Sequence, residues 1–235
     1  MTTTTTDDAL ALGGVQDSFP VKRLGKKIMI NWVLIVIATA MVITIPLALW
    51  FLIITLRSPD LNARSRARRV DLHEHGVVLF DHTGPIASFR FDSMSVLQEI
   101  KVVVVNGIKS NKHTRYTLTG ADGQLGLVNE AYERIEQFGD AVQTGVVREQ
   151  LAGALAAARA GQEVPFGQLV VTGSGLATPK GQVAWPEVRL INITNGQLGV
   201  HVEGKKLALF RVPAARIPNL QLFLRTAGTL RKTTG

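Results

Sequence analysis

Hydrophobic and polar positions change rhythm several times along the chain. Ile28 to Leu56 is an uncharged, largely apolar run, with Lys26 and Lys27 before it and Arg57 after it. Read as one helix it is about 44 Å long, against a bilayer hydrocarbon core of about 30 Å. Trp32 near one end, and Trp50 and Phe51 near the other, suit the two membrane interfaces. Pro46 is placed to kink the helix. The pattern predicts a single transmembrane helix over 28–56. Before it, 1–27 reads as a disordered tail with a basic end, because its threonine run and Gly13-Gly14 leave too little apolar content to fold. After it, 57–69 reads as a basic linker.

From Val70 the pattern becomes short alternating runs broken by turns. Val70–Glu74 and Val77–Phe80 flank His75-Gly76, and Ile86–Phe91 follows Thr83-Gly84-Pro85. Val96–Val105 ends in four valines and reads as a strand buried on both faces. Asn106-Gly107 turns the chain into a basic loop, Ile108 to Lys112. His113–Thr119 and Gln124–Asn129 form a hairpin around Gly120–Gly123. The period then lengthens. Phe138, Val142 and Val146, with Val147, Leu151 and Leu155, predict an amphipathic helix from about Asp140 to Ala160, stopped by Gly161.

A second set of strands follows: Phe166–Val171, a short pair around Pro179-Lys180-Gly181, and Val188–Thr194. Asn195-Gly196 is the strongest hairpin signal in the chain. Leu198, Val200 and Val202 alternate behind it, Leu207–Val212 comes next, and Ile217-Pro218-Asn219 starts a short helix. The predicted fold class is therefore mainly β (α+β): two tandem units, 70–161 and a shorter 162–227, each closed by a C-terminal helix, with 228–235 as a tail. This strand and helix order is similar to that of pleckstrin-homology (PH) domains, a bent sandwich whose open corner a helix covers. Gly76-Val77, Gly84-Pro85-Ile86 and Phe91–Met94 match Gly175-Leu176, Gly181-Gln182-Val183 and Trp185–Val188 in type and spacing, which points to duplication. The tetrapeptide Gly-Gln-Leu-Gly at Gly123 and Gly196 falls on different strands of the two units and does not.

The formal charge of +8 directs attention to nucleic acid until it is located. Residues 1–27 carry four Lys/Arg against three acids, and 57–69 carry five Arg against Asp60, leaving +3 from Val70 onward. The basic residues Lys22, Arg23, Lys26, Lys27, Arg57, Arg64, Arg66, Arg68 and Arg69 bracket the apolar run. Basicity belongs to a membrane surface rather than to a nucleic-acid face. Four cations against five do not orient the span. There is no cysteine, so disulfides, thiolate metal sites and thiol catalysis are excluded.

Phe89-Arg90-Phe91-Asp92, Asn106-Gly107, Tyr116–Thr119 before Asp122-Gly123, Gly161–Gly167, Ala184–Val188 and Ile217-Pro218-Asn219 resemble a family of uncharacterised bacterial membrane proteins with tandem PH-like domains. The resemblance covers about Val70 to Leu224. It implies a PH-like fold and brings no catalytic residues with it.

Chemistry-bearing clusters are sparse. His73 and His75 share a strand face, with His82 nearby, which is the beginning of a metal site but more in keeping with solvated histidines. Ser93, His82 and Asp81 or Asp92 lie close in sequence without a strained nucleophile turn, and Thr172–Leu176 departs from Gly-x-Ser-x-Gly at its first position. No phosphate-loop motif occurs. No cofactor, metal or catalytic residue is assigned. The candidate binding residues are Lys109, Lys112, Lys205 and Lys206. The short turn Glu74-His75-Gly76 is acidic where headgroup-binding PH domains carry cations.

The expected function is that of a single-span, non-catalytic docking or scaffolding protein at the cell membrane. Its partners are the membrane and an unidentified protein. The alternatives are recognition of anionic lipid headgroups and, at lower rank, an enzyme or metal-binding protein. The absence of cysteine, the PH-like resemblance and the basic linker place the C-terminal units on the cytoplasmic side.

Overall fold

The computed structural model of the chain describes residues 12–20, 29–36, 49–54, 67–105 and 108–234. Strand β1 (Val15–Pro20) pairs with β2 (Arg69–His73), followed by β3 (Gly76–Asp81) and β4 (Gly84–Arg90) in an antiparallel four-stranded sheet. Strands β5 (Ser95–Val105), β6 (Ile108–Thr119) and β7 (Leu125–Asn129) make a three-stranded meander, and helix α1 (Ile135–Arg159) follows. The same order then repeats. Strands β8 (Val164–Phe166), β9 (Leu169–Val171), β10 (Gly175–Thr178) and β11 (Gly181–Ala184) form a four-stranded sheet. Strands β12 (Val188–Thr194), β13 (Gln197–Val202) and β14 (Phe210–Pro213) form a three-stranded one, and helix α2 (Leu220–Thr234) closes the chain.

The repeat extends to single residues. Gly76 pairs with Arg90 and Gly175 with Ala184, each at the start of the third strand of its sheet. A Cβ at Gly76 would strike the Phe89 carbonyl, and one at Gly175 the Val183 carbonyl, so each glycine permits the same close approach. Just beyond, Phe91 N donates to His75 O at 3.0 Å and Trp185 N to Ser174 O at 3.1 Å. Phe91 and Trp185 are both buried. The residues before the helices, Arg134 and Asn219, both lie at positive φ, and Phe138 and Phe223 four positions later are both fully buried. The Gly123 and Gly196 tetrapeptides fall in the β6–β7 and β12–β13 connections, which are not equivalent.

The hairpins behave as the turn chemistry predicts. Asn195 and Gly196 take φ 51° and 71°, the doubly left-handed turn that suits a two-residue connection. Along β7, exposed Leu125 and Leu127 alternate with buried Gly126 and Val128. Helix α1 begins at Ile135 rather than near Asp140, because Ile135 and Phe138 extend the buried stripe of Val142 and Val146 by a turn. It ends where expected, with Gly161 N on Ala158 O and Gln162 N on Ala157 O.

Several expectations are corrected. No helix among the described residues is long and apolar enough to cross a membrane. That overturns the transmembrane helix, and with it the single-pass topology and the membrane localisation drawn from it. Within the run, 29–36 and 49–54 are short helical segments, and the remainder of the expected span lies outside the described residues. The sheet supplies an independent reason. Pro20 is paired with Arg69, so the chain on either side of the run lies in one sheet, whereas a single crossing places it on opposite faces of a bilayer. The expected disordered tail contributes β1, and Leu12 and Phe19 within it are buried. The expected C-terminal tail is helical to Thr234, with Leu230 buried. Lys109 and Lys112 lie within β6, paired with Val104 and Val102, rather than in a loop. Strand β5 is not buried on both faces, since Ile100 and Lys101 are exposed; the turn at Asn106-Gly107 lies outside the described residues.

Candidate docking surface

The four candidate lysines are not gathered into one cluster. Lys112 on β6 pairs through Nζ with Glu136 Oε1 at 2.5 Å, fastening β6 to the start of α1. That hydrogen bond holds the Glu136 carboxyl below its ordinary range. Lys109 lies on the same strand, three positions nearer its start. Lys205 and Lys206 belong to the other unit, in the β13–β14 connection, where both are exposed. Leu207 follows them and is 75% exposed. The equivalent β6–β7 connection of the first unit, Gly120 to Gln124, carries Asp122 and no cation.

Of the basic residues bracketing the apolar run, Lys22, Arg23, Lys26, Lys27, Arg57, Arg64 and Arg66 lie outside the described residues. Arg68 is exposed. Arg69 opens β2, pairs with Asp71 Oδ2 at 3.1 Å and stacks its guanidinium 4.2 Å from the Phe80 ring centre.

The histidines separate. His73 is buried, with Nδ1 3.0 Å from Gly13 O. His75 faces Glu149 Oε1 at 3.3 Å, and His82 faces Asp81 Oδ2 at 3.5 Å. Among the described residues no group of three His, Asp or Glu is arranged to hold a metal ion. The Ser93 hydroxyl donates to Asp92 Oδ1 at 2.8 Å, not to a histidine. The Thr172–Gly175 turn is structural: Thr172 Oγ1 bonds Gly175, and Thr172 O accepts the Trp185 indole N–H at 3.0 Å.

The most elaborate polar arrangement joins the two units. Asn219 N donates to Val96 O at 2.9 Å, and Asn219 Oδ1 accepts from Val96 N at 2.8 Å. Its Nδ2 donates to Met94 O and to Gln150 Oε1. Gln150 in turn donates to Phe91 O and Met94 O. A second relay runs from Gln221 N to Gln143 Oε1, from Gln143 Nε2 to Gln98 Oε1, and from Gln98 Nε2 to the Tyr116 hydroxyl. Burial raises the Tyr116 phenol above its ordinary value. Two depressions of about 460 and 340 Å³ flank this seam. Sequence reading singled out Asn219 only as part of Ile217-Pro218-Asn219, and gave no weight to the glutamines, which carry no distinctive spacing.

The charge left after residue 70 also divides sharply. Residues 70–161 carry eight Lys/Arg against eleven acids, a net of −3; residues 162–235 carry nine against Glu163, Glu187 and Glu203, a net of +6. A pooled value of +3 conceals this polarity.

A family model described as a family of unknown function, DUF6585, matches residues 1–234. The chain belongs to the DUF6585 family. The match runs from before β1 to α2, so β1, the residues between β1 and β2, and both repeats fall within DUF6585. It agrees with the expectation of an uncharacterised family. No curated protein matches the chain.

Proposed function

We propose that this DUF6585 protein is a non-catalytic docking module of two PH-like units that meets an acidic membrane surface through the β13–β14 tip. The order of four strands, three strands and a helix, present twice, supports the PH-like reading. The bonds at Asn219 and Gln143 join the two units across the seam. The observation that carries the docking reading is the tip itself: exposed Lys205 and Lys206 beside a 75% exposed Leu207, in the unit of net +6. Each lysine near an anionic surface contributes about 1 kcal/mol, and an inserted leucine adds to that.

Losing both lysines therefore lowers vesicle affinity about 30-fold. The full chain is titrated with phosphatidylcholine vesicles with and without phosphatidylserine. Salt-sensitive binding to the acidic vesicles is expected, weakened by joint Lys205→Gln and Lys206→Gln and unaffected by Lys112→Gln, whose lysine Glu136 already engages. Equal binding to neutral vesicles, or a double variant that binds like wild type, sinks the reading.

A further inference from the structure

The smaller of the two depressions beside the seam, about 340 Å³, lies between helices of different units. Gln98 of β5 and Asp140, Gln143 and Thr144 of α1 line it from the first unit, and Gln221 and Arg225 of α2 line it from the second. Its volume falls at the lower end of the range for small-molecule sites, about 300–1,000 Å³. Gln143 is only 6% exposed, so a side-chain amide is built into the wall. The relay fixes its orientation: Gln143 Oε1 accepts from Gln221 N at 3.2 Å, and Gln143 Nε2 donates to Gln98 Oε1 at 2.9 Å. Gln98 Nε2 then donates to the Tyr116 hydroxyl at 3.1 Å. An amide nitrogen carries two hydrogens and the relay uses one on each glutamine, so Gln98 and Gln143 each keep one N–H to donate.

Asp140 and Arg225 add one full charge of each sign, one from each helix. Both are exposed, and neither side chain has a hydrogen bond or ion pair among the described residues. We infer that this cavity binds a small α-amino acid as its zwitterion, with the ammonium against Asp140 and the carboxylate against Arg225 and the spare glutamine N–H groups. A simple anion in the cavity leaves the Asp140 carboxylate beside it as a like charge, and a simple cation does the same with Arg225. A zwitterion pairs both, through charge-assisted hydrogen bonds, and adds no net charge. The walls belong to two units, so the bound amino acid bridges α1 to α2 and tightens the seam. The inference uses no residue of the β13–β14 tip, so it and the docking reading stand or fall separately.

The full chain is titrated calorimetrically with each of the standard L-amino acids in turn. Saturable binding is expected for at least one, accompanied by a rise in the thermal unfolding midpoint. The N-acetyl and carboxamide derivatives of the amino acid that binds each remove one of its two charges, and both are expected to bind about tenfold more weakly or worse. Asp140→Asn and Arg225→Gln are expected to weaken binding of the parent amino acid by a similar factor, about tenfold or more. Both replacements are at exposed positions, so the unfolding midpoints without amino acid should match wild type and separate lost binding from lost folding. Absence of saturable binding by every amino acid overturns the inference, as does binding that survives either substitution. An N-acetyl derivative that binds as tightly as its parent makes a plain carboxylate the ligand and likewise overturns it. So does a double-mutant cycle in buffer that couples Asp140 to Arg225 while no amino acid binds, because the two charges then neutralise each other across the cleft.

Discussion

At Asn219 the backbone takes φ 50°, a conformation that asparagine accepts more readily than most residues, while its side chain supplies the acceptor for Val96 N. Asn219→Ala removes that acceptor from a buried donor and keeps the unfavourable φ, and is expected to cost about 2–4 kcal/mol in denaturant unfolding. Asn219→Gly loses the same bonds but relieves the backbone, so it should lie about 1 kcal/mol closer to wild type. Equal losses would remove the backbone part of the argument. Asp17 offers a pH-dependent counterpart. Arg134 donates to both of its oxygens, at 2.8 and 3.0 Å, and these bonds lower the Asp17 carboxyl below its ordinary 3.8. A lowered folded value means the stabilisation is complete above the ordinary value and disappears as pH falls through the lowered one. The pair is well exposed, so its contribution is about 0.5–1 kcal/mol. Asp17→Asn should therefore destabilise at neutral pH and be silent in strong acid, a difference read from melting curves across pH. The lysine pair Lys205-Lys206 was visible in the sequence. The engagement of Lys112 was not, because Glu136 comes to it through the packing of α1 on β6.

Strand β1 is the element that local pattern concealed. Its six residues contain only Val15 and Phe19 as large apolar side chains, and its partner lies beyond residues 21–68. Phe19 meets Phe138 edge-to-face at 5.3 Å, and the Arg134 guanidinium lies 4.9 Å from its ring centre. Phe19→Ala is expected to cost about 3–5 kcal/mol in thermal or chemical unfolding, whereas a change in a disordered tail costs nothing. The hairpins were legible for the opposite reason. Asn195-Gly196, and the Gly120–Gly123 turn between β6 and β7, encode their backbone conformation in the residues of the turn itself. The duplication makes its own prediction: Gly76→Ala and Gly175→Ala should each destabilise, since each drives a methyl group into the carbonyl of the adjacent strand.

Across the whole molecule, the buried side chains of both units form one hydrophobic cluster, crossed by the polar relay from Gln221 to Tyr116. Calorimetry should therefore show one unfolding transition, with van't Hoff and calorimetric enthalpies in agreement. Two resolved transitions would show the seam to be weaker than its bonds imply. Alternation, turn residues and the lengthened period before Gly161 were enough to order most of the strands and to find both helices, because each reflects interactions between residues a few positions apart. They also exposed the apolar run and its cations. Whether that run crosses a membrane was beyond them: the answer lies in the pairing of Pro20 with Arg69, which places both flanks in one sheet. The seam at Asn219 and the pairing of strand β1 likewise depend on which distant surfaces meet, whereas the division of charge into an acidic and a basic unit could be counted from the sequence. Such contacts arise from complementarity across the fold, and no local spacing carries it.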